Sequence, residues 1–228
     1  MKTSAIIAAG GSGLRMKSKE NKLFLQIGKI PILTRTISVF EKTSLIDEIV
    51  LVVPGNEIQR VEILVKSNDF KKIKSIVEGG LQRQDSVYNG LKFLSSDSKL
   101  VAIHDGARPF LSIDILERVI NKAKECGAAI VAVKAKDTIK LVDTNFSITE
   151  TLDRNLLWHA QTPQVFDTKL IKQVYEWAKK NNIEATDDAS LVEKFGASVY
   201  VVEGSYDNLK ITTKEDILIG EAILSSQK

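Results

Sequence analysis

Three polar clusters in this 228-residue chain carry residue types suited to holding phosphates. The first is Ala8-Ala9-Gly10-Gly11-Ser12-Gly13-Leu14-Arg15-Met16. Glycines let backbone N–H groups close around phosphate oxygens without side-chain clash. Arg15 adds a fixed positive fork, and Lys17 and Lys22 add mobile positive charge nearby. A tight turn flanked by surface cations fits the same residues. A Walker-type loop is excluded, because no Gly-Lys-Ser/Thr follows the glycines. A dinucleotide fingerprint is disfavoured too: the second apolar run closes on Pro54-Gly55-Asn56, and its acids Asp47 and Glu48 precede it.

The second cluster is His104-Asp105-Gly106-Ala107-Arg108-Pro109-Phe110. An aspartate ending a buried strand can hold magnesium, which prefers oxygen ligands and usually carries substrate phosphates. Arg108 can clamp a phosphate. A turn in which Asp105 and Arg108 pair with each other accounts for the same pattern. The third, Gly79-Gly80-Leu81-Gln82-Arg83-Gln84-Asp85-Ser86, offers backbone and hydroxyl groups to a base or sugar, although Ser86 serves equally as a helix cap. Lys210 is a cation just before the last helical stretch, and exposed lysines are common. Two further stretches, Trp158-His159-Ala160-Gln161-Thr162-Pro163-Gln164 and Thr186-Asp187-Asp188-Ala189-Ser190, read as polar and turn-rich. The lone Cys126 forms no intrachain disulfide, and His104 and His159 are too far apart to propose a zinc site.

The elements around these clusters alternate. Apolar runs at 5–9, 49–53, 75–77, 100–103 and 128–133 predict strands. Helical spacing predicts helices near 31–42, 57–67, 86–94 and, capped by Ser112 or Asp114, up to Cys126. Such alternation implies right-handed crossovers and a mainly parallel sheet flanked by helices, a Rossmann-like α/β fold. All three clusters follow strands, so they gather on the carboxyl edge where such sheets bind ligands. Residues 136–161 break the alternation: 138–142 and 147–152 surround Asp143-Thr144-Asn145, a hairpin read as a projecting β-arm. Beyond it, helices are expected at 169–180, 186–194 and 216–224, with a strand at 199–202.

The composition is that of one ordinary globular domain spanning 1–228: 43% hydrophobic, 27% charged and a net charge of +3. No apolar stretch nears the roughly 18 residues that span a bilayer. The N-terminal apolar run is too short for a signal peptide, and a cytosolic protein is expected. Basic residues are scattered, which argues against nucleic-acid binding.

Taken in order, the motifs resemble the 2-C-methyl-D-erythritol 4-phosphate cytidylyltransferases. They are Ala-Ala-Gly-Gly-x-Gly-x-Arg-Met from Ala8, Gly-Gly-x-x-Arg-x-x-Ser-Val from Gly79, and His-Asp-x-Ala-Arg-Pro from His104. Then come Asp-Thr-Ile-Lys from Asp137, Asp-Arg-Asn-x-Leu-Trp-x-Ala-Gln-Thr-Pro-Gln from Asp153, Thr-Asp-Asp-Ala-Ser from Thr186 and Asp-Asn-x-Lys-Ile-Thr from Asp207. The first motif occurs in many nucleotidyltransferases, whereas the ordered set is specific and covers nearly the whole chain. Ribitol-5-phosphate cytidylyltransferases share the opening loop, but the runs at Asp153 and Thr138 favour the methylerythritol group. Asn21-Lys22-Leu23 stands where the family has Pro-Lys-Gln, and Gly106 replaces a usual alanine.

The resemblance implies transfer of CMP from CTP to methylerythritol 4-phosphate with release of pyrophosphate. It implies Arg15, Lys22 and Lys210 as catalytic cations, and Ala8, Ala9, Gly10, Gly11, Ser12 and Gly13 around the triphosphate. Gly79, Gly80, Asp85 and Ser86 fall at the cytosine and ribose, and Asp105, with Asp207, at magnesium. Arg108, Thr138, Arg154, Thr186 and Lys210 fall at the alditol phosphate, with Thr138 and Arg154 serving the partner's site in a homodimer. A non-catalytic nucleotide-binding regulatory domain is the competing class, and keeping Arg15, Lys22, Asp105 and Lys210 together argues against it.

Overall fold

The computed structural model describes residues 1–10 and 21–226. Gly11, Ser12, Gly13 and Arg15 lie outside the described residues. The expected alternation is present. β1 (Thr3–Ala8) leads through α1 (Ile32–Lys42) to β4 (Glu48–Val53), and α2 (Ile58–Ser67) leads to β5 (Ile73–Glu78). α3 (Arg83–Leu91) then precedes β6 (Leu100–Asp105), and α4 (Ile113–Cys126) precedes β7 (Ala128–Lys134). A two-strand ladder between β2 (Gln26–Ile27) and β3 (Ile30–Pro31), which the apolar pattern did not signal, lies ahead of α1. After the arm come α5 (Thr168–Lys180), α6 (Asp188–Phe195), β11 (Tyr200–Glu203) and α7 (Lys214–Ser226).

The central sheet has seven strands in the order β11-β7-β10-β6-β1-β4-β5, where β10 is Trp158–Asp167. β1 pairs in parallel with both β4 and β6, β4 with β5, and β7 with β11. β10 alone runs antiparallel, to both β6 and β7. This corrects the reading of 158–164 as a turn-rich segment: it begins a ten-residue strand. Its polar residues hid it, and Pro163 falls where the pairing register shifts between Ala160 and Gln164.

Side chains alternate across the sheet, so both faces are buried. On β1, Ala5 and Ile7 face a core with Ile37 and Phe40 of α1, Leu64 of α2 and Leu116 and Val119 of α4. Ile6 faces the other core, with Val87 and Leu91 of α3, Val174 of α5 and Val192 of α6. α3 packs closely because it carries Gly90: a Cβ there would meet Ile6 Cγ2 at 2.9 Å and Val52 Cγ2 at 3.0 Å. Of the two proposed caps for α4, Ser112 is the cap: its Oγ accepts from the Ile115 N–H at 3.2 Å. The helix ends at Gly127, whose φ of 82° suits a residue without a Cβ.

The arm is a hairpin of β8 (Lys140–Val142) and β9 (Ile148–Thr151). Asp143 shapes its turn by accepting from the N–H groups of Asn145 and Ser147 at 2.8 and 2.9 Å. Leu141, Val142, Phe146 and Ile148 of the arm are exposed. Among the described residues no helix is long and apolar enough to cross a membrane.

Candidate active site

The chain reaches β4 and β5 on one side of β1 and then returns to β6 on the other side. A crevice opens where the winding reverses, at the carboxyl ends of β1 and β6. Ala8 and Asp105 are register partners there, and the Gly106 N–H donates to the Ala8 carbonyl at 2.9 Å. A cavity of about 540 Å³ lies over these strand ends, lined in part by Ala8, Ala9, Gly10, Lys22, Gly80, Arg83, Ser86, Asp105 and Lys210. A roomier hollow of about 730 Å³ lies against α1 and residues 109–113 and holds none of the candidate site residues. Chemistry therefore selects the smaller cavity.

Gly79 supports this wall from behind. A Cβ on it would meet Ser86 Oγ at 2.8 Å and the Gly10 Cα at 3.5 Å, and one on Gly10 would meet Ser86 Oγ at 2.9 Å. Two turns and a helix thus touch only because neither glycine has a side chain. Ser86 is not a helix cap. α3 starts earlier, at Arg83, and Ser86 Oγ accepts from the Gly80 N–H at 3.1 Å while donating to the Gln82 carbonyl at 3.0 Å. Asp85 takes the capping role, accepting from the Gln82 N–H at 3.1 Å, and it faces a separate hollow of about 370 Å³ between α3 and α5.

Lys22 opens a 3₁₀ turn, Lys22–Phe24. Asn21 caps this turn by accepting from the Leu23 N–H at 3.1 Å, and Leu23 and Phe24 are buried. The two residues that depart from the family pattern thus anchor the lysine, whose Nζ donates to the Ile211 carbonyl at 3.3 Å. The next residue back, Lys210, places its Nζ 2.8 Å from Asp105 Oδ2. The two ammonium groups therefore approach one cavity from opposite ends of the chain.

Asp105 sits among three cations. Besides Lys210, Arg83 Nε donates to Oδ1 at 3.0 Å, and Arg108 Nε lies 3.5 Å from Oδ2. Burial alone would raise the Asp105 carboxyl, but Arg83, Lys210 and Arg108 overturn that and hold it well below the usual carboxylate range. Arg108 also donates Nη1 to the Asn208 carbonyl at 2.8 Å, so the expected Asp105–Arg108 contact exists; Arg108 itself is largely buried and does not line the cavity. Burial lowers the Arg108 guanidinium, with Asp105 opposing.

His104 supports the floor. Its Nε2 is 3.2 Å from the Arg108 carbonyl, which can only accept, so Nε2 carries the proton. Nδ1 then accepts from Thr162 Oγ1 at 3.0 Å, and that oxygen accepts from the Asp105 N–H at 3.0 Å. Burial pushes His104 down to about 4. An unfolded chain takes up this proton near pH 6.5 and the folded one only near 4, so stability is full above about 6.5 and declines as the pH falls toward 4. The expected loss is on the order of 3 kcal/mol. Urea unfolding at pH 7, 5.5 and 4.5 should show it, and His104→Gln should flatten that slope; an unchanged slope would free His104 from this role.

Thr138, Arg154, Thr186 and Asp207 are exposed and do not line the cavity. Arg154 Nη1 donates to the Lys136 carbonyl at 3.2 Å at the root of the arm. Thr186 borders a small hollow behind Arg83. Asp105 is the one carboxylate lining the cavity among the described residues, and these hold no cluster of three or more metal-ligating side chains. A single hard, ionised oxygen donor fits magnesium, which takes its remaining ligands from phosphates and water. Asp207 lies outside that donor set. Sequence reasoning assigned no role to Arg83, Thr162, Asp188 or Asn208. An arginine three residues after a glycine pair, opposite a strand-end aspartate, was the one available signal.

Fold and cavity together define a class: a doubly wound α/β protein of the kind that takes its ligand at the carboxyl edge of the sheet. The family model described as 2-C-methyl-D-erythritol 4-phosphate cytidylyltransferase matches residues 3–226, and the chain belongs to that family. A relative of that name from Alkaliphilus oremlandii is 46% identical over 228 residues, covering 100% of this chain and 97% of its own. One from Clostridium botulinum strain Langeland is 47% identical over 98% of this chain and 97% of its own. The crystal structure of 4-diphosphocytidyl-2C-methyl-D-erythritol synthase from Anaerococcus prevotii superposes with a TM-score of 0.89 at 38% identity, covering 98% of this chain and 96% of that one.

Proposed function

We infer that the protein transfers CMP from CTP to 2-C-methyl-D-erythritol 4-phosphate, giving 4-diphosphocytidyl-2-C-methyl-D-erythritol and pyrophosphate in isoprenoid precursor biosynthesis. The observation that carries this reading is the meeting of Lys22, Lys210 and the Gly10 and Gly80 turns around one cavity, within a chain of this family. An alditol phosphate oxygen attacks the α-phosphorus of CTP in line. Two polyanions must approach, so positioning and charge neutralisation dominate. The glycine turns hold the triphosphate, and Lys22, Lys210 and Arg15 stabilise the crowded negative charge. The attacking phosphate is already ionised at pH 7, so no general base is required; His104, neutral and held at both ring nitrogens, is not called upon. Asp105 would hold a magnesium ion, which offsets phosphate charge when bound. Thr186 acts on the acceptor side, and Arg108, held beneath the cavity by Asp105 and the Asn208 carbonyl, supports Asp105 from below.

The chain works as a single domain, in the cytosol, as a homodimer. The exposed Leu141, Val142, Phe146 and Ile148 of the arm support the dimer, in which Thr138 and Arg154 of the same arm would complete the partner's site. Arg154→Ala is therefore expected to raise the KM for the alditol phosphate at least tenfold with CTP affinity little changed. Equal losses for both substrates would contradict the assignment. Pyrophosphate release from CTP, measured with methylerythritol 4-phosphate, ribitol 5-phosphate or glycerol 3-phosphate, tests the whole reading. Release with the first acceptor is expected; preference for ribitol 5-phosphate, or no acceptor-dependent release, would overturn it.

A further inference from the structure

The three cations on Asp105 are held in different ways. Arg83 spans two carboxylates, giving Nε to Asp105 Oδ1 at 3.0 Å and Nη2 to Asp188 Oδ2 at 2.8 Å. Asp188 opens α6 and is 0% exposed, and its other oxygen accepts from the Tyr175 hydroxyl of α5, itself 2% exposed. A fully buried carboxylate is costly to desolvate, and a buried ion pair often adds nothing to stability over apolar packing. Arg83 stands between two spaces: it lines the main cavity on one side and the small hollow beneath Thr186 on the other. Arg83 thus borders both the main cavity and the Thr186 hollow, and Asp188 holds one end of its guanidinium.

We propose that Asp188, steadied by Tyr175, is a positioning residue that pins Arg83 against Asp105, keeps the Arg83 guanidinium out of the triphosphate's path and leaves Lys210 as the cation that leaves Asp105 for a phosphate. The inference rests on reading the cavity as the CTP site. Without Asp188, Arg83 keeps one anchor of two and can turn into the cavity it lines, where a triphosphate would capture it. CTP then binds at least as well but in an unproductive pose. Such a fault lowers kcat without raising the KM for CTP, a split that simple loss of folded enzyme does not produce.

The test compares wild type with Asp188→Asn, Tyr175→Phe, Arg83→Lys and the Asp188→Asn/Arg83→Lys double variant, per active site counted by single turnover. Asp188→Asn should lower kcat about 10- to 100-fold with the KM for CTP unchanged or lower. Tyr175→Phe, which removes one hydroxyl and guards against misfolding of the first variant, should act in the same direction but less. The double variant should lose no more than the worse single variant. In ¹⁵N spectra the Arg83 Nε–H should be protected from solvent exchange in wild type and unprotected in Asp188→Asn. Wild-type kcat in folded Asp188→Asn, multiplicative losses in the double variant, or unchanged Nε–H protection would overturn the proposal. A wild type that releases no pyrophosphate would instead sink the functional reading, while the Nε–H measurement still decides the role of Asp188.

Discussion

Lys22→Ala is expected to lower turnover about 100- to 1,000-fold, in line with the loss of one preorganised group aimed at developing charge. With CTP in the cavity as proposed, negative charge there would peak when an anionic acceptor meets the α-phosphorus, and Lys22 is one of the cations lining that space. The fold should hardly notice. The 3₁₀ turn is kept by Asn21 and by the burial of Leu23 and Phe24, none of which the substitution removes. Single-turnover pyrophosphate release should therefore collapse while the urea midpoint stays within a few tenths molar of wild type. Near-normal turnover would remove Lys22 from the mechanism.

Asp105→Asn should damage both folding and chemistry. The amide keeps the shape but leaves Arg83, Arg108 and Lys210 around a neutral group. Removing one partner of a buried ion pair costs about 3–5 kcal/mol, because the remaining charges stay desolvated. Lys210 also loses the group that holds it at the cavity, and a magnesium ion bound there as proposed would lose its one carboxylate. Denaturant unfolding should show the destabilisation, and turnover at saturating CTP should fall by at least two orders of magnitude. A variant as stable as wild type would mean the carboxylate is not ion-paired in solution.

The parallel part of the sheet was readable from the chain because β1, β4, β6 and β7 are buried on both faces and appear as unbroken apolar runs. β10 is equally buried over residues 161–166, yet its Gln161, Thr162 and Gln164 are polar. Each is satisfied by a distant partner: Ser205, His104 and Asp187 respectively. No local pattern records such partners. The same contrast holds in the cavity. Gly10, Lys22, Gly80, Ser86, Asp105 and Lys210 could be named because each sits in or near a turn, where chemistry gathers. Asp85 and Arg108 sit in those turns too, but one caps a helix and the other lies under the floor. The Arg83–Asp188 link joins residues 105 apart, and only the folded chain brings them together.

β10 also gives the hairpin its root. The strand that emerges from it at Trp158 arrives four residues later at Thr162, whose hydroxyl receives the Asp105 N–H. The other root is β7, the direct neighbour of β10 in the sheet. Any grip on the hairpin is thus levered, through one short span of backbone, onto the peptide that seats the strand-end carboxylate.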